Sequence, residues 1–169
     1  MSHSRIFKVQ RNFKEDFDPI EESDFYDNGF LDGYHDYVDT VADYDEDEPT
    51  AYDAACEDDY EWLVQGYNFM GLDKHADGHY YLTIYRAALK EYLDKQDADF
   101  QKLMQLPRKQ RPEYKIDYYV NGDNGGFYIY EDGSYSTLDC WLKDVEKYYP
   151  FDNMGQLVFR LEGVLDYHC

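Results

Sequence analysis

A chain of 169 residues with 37 acidic and 16 basic side chains, a formal net charge of −21, can build one domain with a core but not two of ordinary size. Its 19% aromatic content, with 20 Tyr and 10 Phe, excludes the class of acidic disordered chains, and no run of 18 apolar residues is present to span a membrane. Met1-Ser-His-Ser-Arg-Ile-Phe-Lys8 lacks the apolar core of a signal peptide, and Cys56, Cys140 and Cys169 have no metal-ligand spacing, so reduced thiols and a cytoplasmic location are expected.

Taken in order, Ile6, Phe7 and Val9 mark a first strand over 5–10. Residues 12–28 mix acids with Phe13, Phe17, Ile20, Phe25 and Tyr26 around Pro19 and read as irregular, with at most a short helical turn. Phe30, Tyr34, Tyr37, Val38, Val41 and Tyr44 then recur at helical spacing and predict an amphipathic helix. Asp32, Asp36, Asp39 and Asp43 form a second stripe on it. Like charges so spaced each cost about 0.2–0.5 kcal/mol in a helix, and no base relieves them, which points to function rather than stability.

Pro49 ends that segment and suits the first turn of the next helix, where 45–48 set acids near the positive helix end. Tyr52, Cys56, Tyr60, Leu63, Val64 and Tyr67 give its apolar stripe; Asp53, Glu57, Asp58 and Glu61 lie off it, and Gly66 to Gly71 end it. A third helix is expected over 80–106 from Tyr81, Ile84, Tyr85, Ala88, Leu89 and Tyr92, followed by a basic linker at 108–111. Alternation predicts strands over 114–120 and 127–131 joined by a hairpin loop, Asn121-Gly-Asp-Asn-Gly-Gly126. Ser136-Thr137-Leu-Asp139 starts a helix running to Tyr149, and 156–167 is a last strand. The order β-α-α-α-β-β-α-β predicts an α+β fold, a small antiparallel sheet with three to four helices on one face.

The charge is local. Residues 15–73 hold 21 acids and no Lys or Arg, while the remaining 16 acids are balanced by all 16 Lys and Arg. A halophilic surface would be acidic throughout. The expectation is one domain over 1–169, with an acidic helical segment at 15–73 and a neutral remainder at 74–169. A surface of this sign repels nucleic acid and membranes and attracts basic proteins or cations.

As a helix, Asp32 to Asp43 would span roughly 16 Å. Two such helices would offer about eight carboxylates over that length, against roughly nine or ten phosphate charges on duplex DNA. Tyr26 and Tyr44 are the aromatics expected to be exposed among the acids, where they would serve as interface anchors. His75 and His79 have the i, i+4 spacing of zinc ligands, but Asp77-Gly78 between them reads as a turn, and a polar loop is expected. Asp43-Tyr-Asp45-Glu-Asp47 resembles the start of a calcium loop, yet Glu48 stands where its glycine belongs and Ala54 where its last ligand belongs. No phosphate-binding glycine loop, Gly-x-Ser-x-Gly elbow or Cys-His signature is present, so no catalytic residue, metal or cofactor is assigned.

In being small, extremely acidic and rich in aromatics over 15–73, the chain resembles the antirestriction and anti-CRISPR proteins of phages and mobile elements. The likeness is compositional and implies a class: a nucleic-acid mimic that occupies the binding channel of a Cas nuclease complex or a restriction–modification enzyme, without chemistry and without itself binding nucleic acid. The residues expected to meet Lys and Arg of that partner are Asp32, Asp36, Asp39, Asp43, Asp45, Glu46, Asp47, Glu48, Asp53, Glu57, Asp58 and Glu61. Two other readings stay open: an adaptor that binds a basic protein without displacing nucleic acid, and a cation-dependent enzyme using His75 and His79.

Overall fold

Among the residues that the computed structural model describes (3–32, 35–121 and 126–168), seven strands and four α-helices form an α+β fold. The strands are β1 (His3–Gln10), β2 (Tyr37–Thr40), β3 (Met70–Lys74), β4 (Tyr80–Tyr85), β5 (Tyr128–Glu131), β6 (Ser134–Thr137) and β7 (Gln156–His168). The helices are α1 (Pro49–Val64), α2 (Arg86–Gln105), α3 (Glu113–Asn121) and α4 (Leu138–Tyr148). The sheet runs β3-β4-β7-β1-β5-β6, with β1 and β5 parallel and every other pair antiparallel.

β7 organises this sheet. One of its edges lies along β1 for most of its length, whereas its other edge is divided: Gln156 to Arg160 pair with β4, and Leu165 to His168 pair with β2. Between the two partners the register slips. Phe7 faces Val164 but Val9 faces Leu161, so β7 carries an extra residue there, a β-bulge centred on Glu162 and Gly163. Gly163 takes φ +103°, a conformation costly for any residue with a Cβ.

Because side chains alternate along a strand, the extra residue exchanges the faces of everything after it. Before the bulge Leu157, Phe159 and Leu161 enter the larger core; beyond it Val164 does, while Leu165 and Tyr167 enter a second core on the opposite face. The larger core is roofed by helices through Tyr52, Cys56, Tyr60 and Leu63 of α1, Leu89 of α2 and Trp141, Leu142 and Val145 of α4. The second core is covered by the acidic segment itself, through Ile20, Phe25, Phe30 and Val38. Phe25 and Phe30, interleaved with acids in that segment, are thus part of a lid for the sheet.

Several expectations hold: β1, α1 with Pro49 in its first turn, α4 and β7 lie where the sequence put them. Thr137 caps α4 by accepting the Cys140 N–H. The expected helix over 30–44 is not formed. Phe30 is buried in the second core, Val38 lies in β2, and 15–73 as a whole is only partly helical, with α1 and a 3-10 turn at Glu22–Phe25. The open edge of β7 offers Val38 and Thr40 a ladder, and β-branched residues favour it. The expected helix from Tyr80 starts at Arg86 instead: Tyr80, Leu82 and Ile84 alternate into the core as β4, and Ala88 and Leu89 belong to α2. Residues 114–120 are helical within α3, where Tyr119 meets Phe100 of α2 at 5.9 Å between ring centres. The hairpin loop expected over 121–126 falls mostly outside the described residues, as do Tyr34 and Cys169. The short strands β3 and β6, whose sequences show no clear alternation, form the two margins of the sheet.

Gly163→Ala tests the bulge. A Cβ there would run into the Tyr52 ring in addition to the strain of the positive φ. The substitution should destabilise the protein by about 3 kcal/mol or more in chemical denaturation. A loss below roughly 1 kcal/mol would mean that the bulge relaxes without consequence.

Candidate partner-binding surface

The acids fall into three environments. Asp32 and Asp36 precede β2 and are exposed; Asp36 lies 3.1 Å from the ring nitrogen of His168, and Asp32 lies 3.9 Å from that of His35. Asp39 is exposed on β2, Asp43 on the loop that follows, and Asp45, Glu46, Asp47 and Glu48 on the approach to α1. Asp58 and Glu61 are exposed on α1, and Glu57 is half-buried beside the Tyr80 hydroxyl. Together β2, its loop and α1 carry a ribbon of exposed carboxylates. Among the described residues, the salt bridges that reach 15–73 from Lys or Arg are Lys8–Asp18 at 2.6 Å and Arg5–Asp59 at 2.7 Å, both from β1.

Asp53 departs from expectation. It is fully buried, so it is not a contact for a partner. One carboxylate oxygen lies 2.6 Å from His79 Nδ1, and the other accepts the Tyr60 hydroxyl at 3.0 Å. The Tyr60 oxygen in turn accepts the Gly163 N–H, freed by the bulge, at 2.9 Å. A chain of hydrogen bonds therefore runs from the β3–β4 turn through α1 to β7. Burial raises the Asp53 pKa above its ordinary value, and the bonds from His79 and Tyr60 oppose that only in part. Burial likewise pushes the Cys56 thiol up to about 12, as suits a core thiol.

His75 and His79 flank a tight turn, with the Gly78 N–H bonded to the His75 carbonyl. The rings are engaged in packing: His75 stacks on Tyr81 at 3.8 Å and His79 on Phe17 at 4.4 Å. Among the described residues no group of three or more His, Cys, Asp or Glu is arranged to hold a metal ion, and no helix is long and apolar enough to cross a membrane.

Of the two tyrosines expected to be exposed, Tyr26 is 59% accessible, but Tyr44 is half-buried, set against Phe17 and Tyr52 at 5.9 and 5.5 Å. Both line a groove of about 330 Å³ where the 3-10 turn, the loop after β2 and the start of α1 meet. Glu21, Glu22 and Asp43 line it too. Glu21 and Glu22 carry no local signal of this role, because nothing in the sequence of an irregular segment shows that it folds back against the loop at 40–44.

A second buried carboxylate, Glu131, lies outside the acidic segment. It accepts bonds from the Trp141 indole at 3.2 Å and the Tyr149 hydroxyl at 2.9 Å, with the Arg11 guanidinium 3.2 Å away. Burial raises its pKa despite these partners. No protein-family model, curated protein or solved structure matches the chain.

The raised pKa values of Asp53 and Glu131 carry a sign. A carboxyl that holds its proton more tightly folded than unfolded adds stability below its unfolded pKa, and that stability is lost as pH rises through the folded value. Asp77 has the opposite sign: burial raises its pKa, but the Tyr81 hydroxyl and the His79 N–H outweigh it and the net shift is downward. The melting temperature should therefore rise as pH falls from 7.5 to about 5, and Asp53→Asn should flatten part of that dependence. Asparagine can still accept from Tyr60 and donate to His79, so it should cost less than about 1 kcal/mol, whereas Asp53→Leu strands both partners and should cost roughly 2–3 kcal/mol. A pH profile of melting temperature unchanged in the Asn variant would remove Asp53 from the balance.

Proposed function

We propose that the chain is an acidic inhibitor that occupies the nucleic-acid-binding surface of a basic partner, a Cas nuclease complex or a restriction–modification enzyme, in the cytoplasm of the host cell. The observation that carries the reading is the run of 21 acids without Lys or Arg over 15–73, most of them exposed, with eight of the exposed ones along β2, its loop and α1. The same segment closes the second core with Phe25 and Phe30, so the charges are displayed on backbone already fixed by burial. Fixed charges lose little freedom on binding, and a field of one sign accelerates encounter with a basic channel. The expected contacts are Asp39, Asp43, Asp45, Glu46, Asp47, Glu48, Asp58 and Glu61, with Asp32, Asp36 and Glu57 at the margins and Asp53 left out. The action is steric and electrostatic competition, with no bond made or broken.

Competition is the test. Asp39, Asp47, Asp58 and Glu61 reversed together to Lys should weaken inhibition of DNA loading by about 30-fold, since exposed pairs are worth roughly 0.2–1 kcal/mol each. Reversal of Glu91, Asp97 and Asp117, exposed acids outside the segment, should change inhibition less than about threefold. The melting temperature of the ribbon variant should hold or rise, because self-repulsion is relieved, and wild-type affinity should weaken with salt. Equal inhibition by wild type and ribbon variant, or a stable complex of chain, partner and DNA together, would replace the inhibitor by an adaptor.

A further inference from the structure

We propose that the groove between the 3-10 turn and the loop after β2 seats one arginine side chain of the basic partner, an inference that rests on the partner being basic. Its volume of about 330 Å³ is at the small end of ligand clefts, which run from about 300 to 1,000 Å³, and suits one side chain better than a cofactor or a peptide. The lining has the three surfaces that a guanidinium selects. Glu21, Glu22 and Asp43 supply carboxylates, Tyr26 and Tyr44 supply aromatic faces, and Ala42 supplies apolar surface for the methylene stem. The lining contains no Lys or Arg. A guanidinium is planar, weakly hydrated and able to bond a carboxylate with two N–H groups while it stacks on a ring. An ammonium is compact and strongly hydrated and gains less from rings and apolar walls.

The walls are already in place. Tyr44 is held by Phe17 and Tyr52, and Phe17 by the stacked His79 ring. Ile20 is buried in the second core, and its N–H bonds the Glu162 carbonyl at 2.9 Å. The Tyr26 hydroxyl bonds Glu22 at 3.3 Å, which leaves the Tyr26 ring, 59% accessible, as the open side. Burial first, and then the charges of Glu46, Asp18 and Asp45, raise the Tyr44 pKa. A basic protein that docks on the ribbon would thus be aligned by one seated arginine, with the remaining contacts set by charge alone.

The probe is blocked arginine (the N-acetyl methylamide), titrated into the full chain and followed by NMR, with blocked lysine and blocked citrulline in parallel arms. Arginine should shift the resonances of Tyr26, Ala42 and Tyr44 along one saturating curve, bind about fivefold or more tighter than lysine, and leave citrulline without measurable binding. Tyr26→Ala, at an exposed ring outside either core, should weaken arginine by about fivefold with the fold unchanged, and Asp43→Asn should weaken it by a similar factor. Reversal of Asp58 and Glu61, away from the groove, should change it less than about twofold. Equal binding of lysine and arginine, largest shifts on the outer face of α1, or wild-type binding by both groove variants would overturn the seat. None of those results touches the competition assay, whose ribbon variant leaves every groove residue intact, so failure of the seat and failure of the inhibitor reading are told apart.

Discussion

The fold depends on one extra residue in β7. Without the bulge at Glu162 and Gly163 strict alternation would put Leu165 and Tyr167 on the same face as Leu157, Phe159 and Leu161, and the second core would lose the two side chains that β7 gives it. With it, the N-terminal half of β7 serves the helix-covered core and the C-terminal half serves the core beneath the acidic segment. The bulge also interrupts the edge between β4 and β2, and the freed backbone groups there are not left bare. The Gly163 N–H goes to Tyr60, the Glu162 carbonyl receives the Ile20 N–H, and the Val164 backbone meets the Tyr52 hydroxyl. Two tyrosines of α1 and one residue of the N-terminal strap thus fill the gap that a strand would otherwise occupy.

The strap is tied down by charge as well. Arg160 donates to the carbonyls of Glu15 and Asp16 and to Glu162, and Glu162 also accepts the Asp18 N–H. Burying this ion pair costs desolvation, and Arg160 Nε and Glu162 Oε1 remain without partners in the interior. What the arrangement secures is position: the acidic segment leaves β1 at a fixed point, crosses the bulge, and arrives at the second core in register. Such a pair specifies structure more than it adds stability.

This division explains how so acidic a segment stays folded. Its aromatics are not decoration on a charged surface; Phe25 and Phe30 pack against Tyr130, Tyr135 and Tyr167 across the sheet, at ring separations between 5.1 and 6.3 Å. Burial of large rings opposes the mutual repulsion of the carboxylates outside. The lid at 20–38 leads directly into β2, and α1 is anchored in the larger core by Tyr52, Cys56, Tyr60 and Leu63, so the charged loop between them is held at both ends.

The sequence by itself determined the α+β class, β1, α1, α4 and β7, and the confinement of negative charge to 15–73, because each rests on local periodicity, capping or composition. Tertiary structure alone decided the rest. The stripe from Phe30 to Tyr44 has helical spacing, yet Val38 pairs with Tyr167 in a strand, since an open edge of β7 outweighs a helix burdened with like charges. Asp53 sits among exposed acids in the sequence and is buried in the fold, because the bulge lets Tyr60 turn inward and His79 arrive from a hairpin 26 residues away. Glu21, Glu22 and Asp43 share a groove for a reason no local pattern records: the lid must fold back over the sheet to cover the second core. Charge and periodicity are properties of neighbours in sequence, whereas pairing, burial and the meeting of side chains are set by which strand edge is left open.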